Sequence, residues 1–400
     1  MNLGILLLFK YIDFSIQVLN SILDQFGRSV LIPKYNYLLP IGISFYIFHS
    51  ISYLIDVYKR KVSAEHNFLT FALFLSFFPQ LTAGPIERAK SLMQQIHEEH
   101  TFDFDAMRSG LLRMLWGYYL KLMIADRAAI FVNAVFDMPS QYEGVFVILA
   151  AILFAVQIYS DLAGYALIAQ GAAEVMGFRL TDNFSAPYFA ASVGEFWQRW
   201  HISLSAWFHD YLYIPLGGSS KGKICQYRNV IVVFLAVGIW HGVDASYIVW
   251  GLIHSLYLIL EDWEEHAFKN RKKRIPKWLR ILITFCLVDF AWIFFRADNL
   301  QTACDMIVSM FTVHNWWMLW DLSIYQPGLG KVDFLILLFS VLLLLFADFV
   351  SCKKIELRQI ITGKKLWFRW LVYYAAILGM LIFGIWGVEN SSMAFLYLQF

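Results

Sequence analysis

Ionisable side chains are concentrated in residues 195–242, between segments apolar enough to lie in a membrane. The stretch opens on Glu195, Arg199 and His201 and closes on His241. Ionisable groups are costly to place at membrane depth, so each is by default a candidate for function. Histidines and carboxylates are also the side chains that most often transfer protons. We therefore take residues 195–242 as the candidate catalytic region.

His241 has the position expected of a general base. About a dozen apolar residues precede it, which corresponds to about 18 Å of helix and places the imidazole within the bilayer. Gly238 and Gly242 flank it and permit close approach of backbone or ligand. A neutral imidazole can accept the proton of a hydroxyl that attacks an acyl group. The same pattern also fits a structural role, in which His241 packs between helices and hydrogen-bonds to a neighbouring membrane span.

The first polar residues of the region admit several roles. Glu195 and Arg199 are four residues apart, a spacing that pairs opposite charges on a helix. Trp197 and His201 share this spacing. His201 can be a second base, a partner that orients His241, a substrate contact, or part of an interfacial amphipathic helix.

Basic and acidic residues elsewhere extend the set of candidates. One edge of the region is basic, through Arg199, Lys221, Lys223 and Arg228. These cations can bind the phosphates of a nucleotide-bearing donor, or they can simply mark the cytoplasmic side. Asp161 interrupts an apolar span, so we expect it to face the protein interior or a cavity.

Asp210 and Tyr213 precede Pro215 and Gly217-Gly218, a combination typical of a loop. Glycine-rich phosphate loops and the common hydrolase and metalloprotease motifs are absent from the sequence. We predict no metal site, because His201 and His241 lack a third ligand at a recognisable spacing.

The composition defines the elements that must position these groups. The chain of 400 residues is 59% hydrophobic and only 16% charged, against roughly 25% charged in soluble domains. Repeated long apolar runs predict an all-α polytopic membrane protein with about nine to eleven transmembrane or re-entrant helices. The net charge of +2 gives no indication of nucleic acid. Four widely spaced cysteines argue against a disulfide framework.

Apolar runs give approximate boundaries for these helices. The chain begins with a partial membrane span at 1–9 and an interfacial segment at 10–37. Residues 84–108 are interpreted as a polar loop, and Ser109 is the candidate N-terminal cap of the helix that follows. The other predicted segments are 38–58, 68–82 (re-entrant or tilted, with Pro79), 110–136, 144–171, 230–240, 247–260, 281–295, 334–350 and 367–386.

The loops between these segments predict an orientation. Loops 217–228, 262–280 and 351–366 are rich in lysine and arginine, and the intervening loops are acidic. Basic loops stay in the cytoplasm, so this alternation places the C-terminus outside. One half of the chain does not resemble the other, which argues against an inverted-repeat transporter.

Several motifs in this chain resemble the membrane-bound O-acyltransferase family, in its bacterial branch of alginate and cell-wall polysaccharide O-acetyltransferases. The motifs are Phe78-Pro79-Gln80-Leu81 with Gly84-Pro85-Ile86-Glu87-Arg88, Gln157-Ile158-Tyr159-Ser160-Asp161, Asn183-Phe184, Glu195 through Gly218, Trp240-His241-Gly242 with Trp250-Gly251 and His254, and the ending Phe395 to Phe400.

The resemblance implies one membrane domain over 1–400, with helices around a central tunnel and acyl transfer to a hydroxyl. It assigns His241 as the catalytic histidine and His201 as the second histidine. Tentative substrate or donor contacts are Glu195, Arg199, Asp210, Tyr213, Asp161, Arg88 and Trp240.

The resemblance also implies substrates and partners. Acetyl-CoA or an acyl carrier on the cytoplasmic side is the donor substrate, and no cofactor is bound. An extracytoplasmic acetyltransferase-like or esterase-like protein completes the transfer to a polysaccharide, and membrane lipid surrounds the protein. The location is the bacterial cytoplasmic membrane.

The chain departs from the family pattern at several positions. Gln198 and His209 stand where relatives usually have arginine, and Leu167 stands where aspartate is common. The start at Asn2-Leu3-Gly4 resembles an internal position of relatives, so one or two N-terminal helices are expected to be missing. The alternatives are D-alanyl transfer to teichoic acid, peptidoglycan O-acetylation, a transporter or flippase with a histidine proton relay, and a non-catalytic scaffold.

Overall fold

The computed structural model describes residues 42–81, 84–242, 244–267 and 275–386, with isolated positions before residue 42. Every regular element in these ranges is a helix. The chain divides into two compact units, Met1–Thr101 and Phe102–Phe400. Predicted features that lie wholly or largely outside the described residues are the segments 1–9 and 10–37, the basic run 271–274 and the ending 395–400.

The first unit contains four helices: α1 (Ile43–Tyr58), α2 (Phe68–Ser76), α3 (Phe78–Leu81) and α4 (Ala89–His97). The predicted segment 68–82 is two short helices, which separate at Phe77, two residues before Pro79. The interpretation of 84–108 as a loop is wrong, because it contains α4. That helix buries Ala89, Leu92 and Met93, which recur on one face at helical spacing.

The second unit contains the remaining helices. They are α5 (Phe104–Tyr119), a π-helical segment (Leu120–Ala125), α6 (Asp126–Asp137), α7 (Val145–Val175), a short turn (Pro187–Phe189), α8 (Val193–Arg199), α9 (Ile202–Phe208), a second π-helical segment (His209–Tyr213), α10 (Lys223–His241), α11 (Ala245–Ala267), α12 (Lys277–Arg296), α13 (Leu300–Thr312), two short turns (Trp316–Leu319 and Leu322–Tyr325), α14 (Lys331–Cys352), α15 (Leu357–Thr362) and α16 (Leu366–Phe383).

Five of the described helices, α7, α10, α12, α14 and α16, are long and apolar enough to cross a membrane. This confirms the prediction of a polytopic helical membrane protein. The larger number expected from the sequence also counted shorter segments, such as 68–82, and segments outside the described residues. Most side chains of α16 are exposed although the helix is apolar, which suits a surface that faces lipid.

The predicted helix 110–136 is longer and is interrupted. It begins at Phe104, where the Asp103 carboxylate accepts the backbone N–H groups of Asp105 at 2.8 Å and Ala106 at 3.2 Å. Ser109 therefore lies inside the helix and is not its cap. The π-helical segment Leu120–Ala125 separates α5 from α6. Such insertions are frequent at functional sites in helical proteins.

Helices α5 and α7 approach each other at two pairs of glycines. A Cβ atom on Gly117 would lie 2.6 Å from the Gly164 carbonyl oxygen, and one on Gly164 would lie 2.8 Å from the Gly117 oxygen. Gly110 and Gly171 make the same reciprocal contact two turns away. Small residues of this kind let two backbones touch in membrane proteins.

Replacing Gly164 with alanine is expected to destabilise the protein by about 1–3 kcal/mol, because the new methyl group must push the two helices apart. The measurement is thermal denaturation of the purified protein in detergent. Gly379→Ala in α16 is the matched control, since nothing lies within 4 Å of the added atom. Equal denaturation temperatures for the two variants would contradict this account of the packing.

Candidate functional site

His241 is the last residue of α10, and its side chain is buried. Its ring lies 5.4 Å from the ring of Trp250 on α11, at an angle of 90°, and 5.0 Å from the ring of Phe295 on α12. Trp240 packs beside it at 4.7 Å. Three helices therefore fix the position of the imidazole within an aromatic environment.

The glycines next to His241 bring α10 close to α11. A Cβ atom on Gly238 would lie 2.5 Å from the Tyr247 carbonyl oxygen, and one on Gly242 would overlap the Tyr247 ring. The sequence left open whether a backbone or a ligand lies against these glycines. The structure shows that residue 247 of the neighbouring helix occupies this place.

His201 lies in the short connection between α8 and α9. Its φ angle of 42° is in the left-handed region, which costs roughly 1–2 kcal/mol for a residue with a Cβ atom. Trp197 and His201 are four residues apart in the sequence but do not lie on one helix, because α8 ends at Arg199. The change of backbone direction buries the His201 ring next to Phe184, with the ring centres 5.9 Å apart.

Asn183 holds this strained connection in place, and its role was missed in the sequence. Its backbone oxygen accepts the Ile202 N–H at 2.9 Å. Its side-chain oxygen accepts both the N–H and the hydroxyl of Ser203, at 3.1 and 2.9 Å. In the sequence, the only indication of this role was that Asn183 belongs to the motif Asn183-Phe184.

Aromatic contacts connect the surroundings of the two histidines. Phe184, which contacts His201, packs on Trp200 at 5.2 Å. Trp200 packs on Trp292 at 5.2 Å, and Trp292 stacks on Trp250 at 5.9 Å. Trp250 contacts His241. We call Trp197, Trp200, Trp250 and Trp292 the tryptophan cluster.

Glu195 and Arg199 form the predicted ion pair, with Nη2 2.5 Å from Oε1. The second carboxylate oxygen of Glu195 accepts the Ala191 N–H at 2.7 Å. Partial burial opposes ionisation of Glu195, but the Ala191 N–H and the Arg199 guanidinium outweigh it and lower the pKa of the carboxyl. Arg199 also contacts the Cys352 thiol at 3.5 Å. This pair ties α8 to its own preceding loop and to α14.

Asp161 faces the protein interior, as predicted. Its carboxylate lies 2.7 Å from the Lys121 ammonium, which also lies 2.8 Å from the Asp126 carboxylate. The ring of Tyr165 lies 5.5 Å from the same ammonium. We call Lys121, Asp126 and Asp161 the lysine network. It joins the π-helical segment, the start of α6 and α7.

The remaining predicted contacts are spread over the chain. Asp210 and Tyr213 belong to the exposed second π-helical segment, where the His209 ring stacks on Tyr213 at 5.5 Å and its Nδ1 lies 3.1 Å from Asp210. Arg88 lies in the first unit, directly before α4. The backbone N–H of Glu87, its neighbour, donates to His49 at 3.1 Å.

The basic edge is partly neutralised by neighbouring groups. The Lys223 ammonium lies 2.7 Å from the Asp262 carboxylate, which also accepts the Tyr227 hydroxyl at 2.8 Å. Arg228 donates to the Asn229 side chain at 2.8 Å. Lys223 thus joins the start of α10 to the end of α11. Among the described residues, no group of three or more histidine, cysteine and acidic side chains is arranged to hold a metal ion.

His254 on α11 is a further buried histidine. It appeared in the sequence only as part of the histidine motif. The Trp197 indole N–H donates to its Nδ1 at 3.3 Å. Its ring lies 5.1 Å from the ring of Trp250. His254 is fully buried in the structure.

The helical membrane architecture agrees with a comparison to known families. Residues 55–300 match the sequence model of the membrane-bound O-acyltransferase family. The chain belongs to this family, which confirms the resemblance that its motifs show.

Three relatives illustrate the range of the similarity. A probable alginate O-acetylase of Pseudomonas putida is 41% identical over 79% of this chain and 64% of the relative. A peptidoglycan O-acetyltransferase of Helicobacter pylori is 34% identical over 77% of this chain and 63% of the relative. A teichoic acid D-alanyltransferase of Bacillus subtilis is 26% identical over 66% of this chain and 70% of the relative. The chain spans less than two thirds of the first two relatives.

Proposed function

We propose that this protein is a membrane O-acyltransferase of the bacterial cytoplasmic membrane. It moves an acetyl group from a cytoplasmic thioester donor toward hydroxyl groups of an extracytoplasmic polysaccharide. The observation that carries this proposal is His241, an imidazole buried at the end of an apolar helix and held by aromatic rings from two others. The similarity to proteins named for O-acetylation of alginate and of peptidoglycan supports acetyl as the transferred group and a polysaccharide as the acceptor.

His241 acts as the general base in this proposal. The acceptor hydroxyl oxygen attacks the carbonyl carbon of the thioester, and its proton passes to an imidazole nitrogen. The carbon–sulfur bond then breaks, and the thiolate leaves with its electron pair and receives the proton. The burial of His241 favours transfer to a hydroxyl over hydrolysis, because water is excluded from the reactive donor.

Acetyl-CoA or an acetylated acyl carrier is the donor substrate, and no bound cofactor is required. Both donors carry phosphate, and the basic loops 217–228 and 351–366 offer cations on the side that the charge alternation assigns to the cytoplasm. The acceptor hydroxyl belongs to an extracytoplasmic acetyltransferase-like or esterase-like partner, or to the polysaccharide itself.

Reconstituted protein tests the class of function. Proteoliposomes given acetyl-CoA labelled in the acetyl group, together with an extracytoplasmic polysaccharide fraction and its partner protein, are expected to form a covalently labelled polymer. A transporter or flippase would move label without forming a covalent product. Absence of covalent label with both acetyl-CoA and an acetylated carrier as donors would overturn the proposal.

D-alanyl transfer to teichoic acid is the second candidate, and the similarity to a D-alanyltransferase favours it. The same proteoliposomes given a D-alanyl carrier thioester separate the two reactions. Deleting the gene identifies the acceptor, because the polymer that loses its ester groups is the one the enzyme modifies. If only peptidoglycan loses ester groups, the acceptor is peptidoglycan and not a secreted polysaccharide.

A further inference from the structure

Two buried N–H groups are unused by the protein, one on a ring that contacts His241 and one on the next ring along the same helix. In the described part of the chain, Nε2 of His254 and Nε1 of Trp250 have no hydrogen-bond partner. His254 is 0% exposed and Trp250 is 1% exposed. Buried polar groups in folded proteins are nearly always paired, so an unpaired one indicates a ligand, a water molecule or a catalytic role.

The neighbouring Trp197 determines which nitrogen of His254 carries the proton. An indole nitrogen can only donate, and the Trp197 N–H donates to Nδ1 of His254 at 3.3 Å. In the neutral imidazole the proton is therefore on Nε2. This nitrogen is a donor, and it is the atom without a partner.

Both donors belong to one face of α11, and the ring of one of them, Trp250, contacts the general base. Positions 250 and 254 are four residues apart, so their side chains are neighbours on the helix surface. Their rings lie 5.1 Å apart. The Trp250 ring contacts the His241 ring at 5.4 Å. A group that reacts at His241 therefore lies next to the Trp250 ring, and the His254 ring follows on the same face of α11. Neither of their free N–H groups has an acceptor among the residues that the structure describes.

We propose that the N–H groups of Trp250 and His254 hold the carbonyl oxygen of the acyl donor during transfer. This inference rests on the proposed function. As the acceptor hydroxyl attacks, the carbonyl double bond opens and its electron pair moves onto the oxygen. The two N–H groups stabilise that negative charge. The pair returns to the carbonyl when the carbon–sulfur bond breaks, and the acceptor's proton passes through His241 to the thiolate.

Trp250→Phe tests the indole, because it keeps an aromatic ring and removes only the donor. Acetyl transfer is expected to fall about 100-fold in kcat, with KM for the donor nearly unchanged. Trp386→Phe is the control. It removes an indole N–H that the protein itself uses, since this group donates to the Met380 backbone oxygen at 3.0 Å, and it is expected to stay within about threefold of the wild-type rate.

His254→Gln and His254→Leu test the second donor. The amide of glutamine can accept from Trp197 and still donate, whereas leucine can do neither. We therefore expect His254→Gln to retain more activity than His254→Leu at equal amounts of inserted protein. Equal loss in both, in parallel with a lower denaturation temperature, would assign His254 a packing role and overturn the inference.

Infrared spectroscopy gives a readout that does not depend on turnover. Acetyl-CoA labelled with ¹³C at the thioester carbonyl is bound to the His241→Ala protein, and its carbonyl stretch is compared with that in solution. Donation from two N–H groups lowers this frequency, and adding Trp250→Phe is expected to reverse part of the shift. If the wild-type protein transfers acetyl, the Trp250→Phe variant is equally active and the carbonyl frequency does not shift, the inference is overturned and the proposed function stands. Absence of wild-type transfer would overturn the proposed function.

Discussion

Replacing His241 with alanine is expected to reduce polymer acetylation by about 10²- to 10⁴-fold, the contribution typical of a general base. The imidazole is the proton acceptor in the proposed reaction. It is buried among Trp240, Trp250 and Phe295, so water cannot readily replace it. The measurement is the amount of ester-linked acetyl on the polymer, per amount of protein inserted in the membrane.

Two comparisons separate chemistry from folding in this experiment. His241→Gln fills more of the space left by the imidazole but is not a base at neutral pH, so it is expected to lose as much activity as alanine. His314→Ala removes an exposed histidine of the same unit and is expected to leave acetylation unchanged. Unchanged acetylation in a stably inserted His241→Ala protein would contradict the assignment of this residue.

Replacing Lys121 with methionine is expected to destabilise the protein by about 3–5 kcal/mol, because two buried carboxylates lose their shared counter-charge. The ammonium lies 2.7 Å from Asp161 and 2.8 Å from Asp126, and the Lys121 side chain is only 14% exposed. The measurement is the denaturation temperature of purified protein in detergent. The yield of inserted protein is expected to fall with it.

An exposed lysine provides the matched control for this prediction. Lys223 contacts Asp262 at 2.7 Å, but its side chain is 46% exposed. Surface ion pairs contribute about 0–1 kcal/mol, so Lys223→Met is expected to have a small effect. Equal effects of the two substitutions would contradict the burial argument.

Neutralising the acids is expected to rescue the Lys121 variant. Asp126→Asn and Asp161→Asn remove the charges that Lys121→Met leaves without a partner. The triple variant is therefore expected to be more stable than Lys121→Met alone, since removing all charges of a buried network costs less than removing one partner. A triple variant less stable than the single one would show that the lysine network contributes through hydrogen bonds more than through charge.

The sequence by itself determined the class of architecture. Long apolar runs have no stable alternative to helices in a membrane, so α7, α10, α12, α14 and α16 follow from composition. The observed helices α7, α10, α12 and α14 extend beyond the predicted runs, whereas α16 ends at Phe383, before the predicted residue 386. Polar residues such as Lys223 and Lys277 begin α10 and α12, because helix formation does not require an apolar side chain.

Contacts between residues close in the chain could also be predicted from the sequence. The Glu195–Arg199 pair needs only one turn of helix, and it is present. The inward position of Asp161 follows from the cost of exposing a charge to lipid. Its partner did not follow, because Lys121 is 40 residues away in the chain and reaches it only through the packing of the π-helical segment against α7.

The tertiary structure alone decided the details of the candidate site. The left-handed backbone at His201 is held by Asn183, so helical spacing does not describe the position of its imidazole. The proton position on His254 depends on Trp197, 57 residues away. Spacing reports neighbours within one helix, whereas hydrogen bonds between helices depend on how several of them pack. For that reason the sequence predicted His241 as a candidate base but not the unpaired N–H groups of Trp250 and His254.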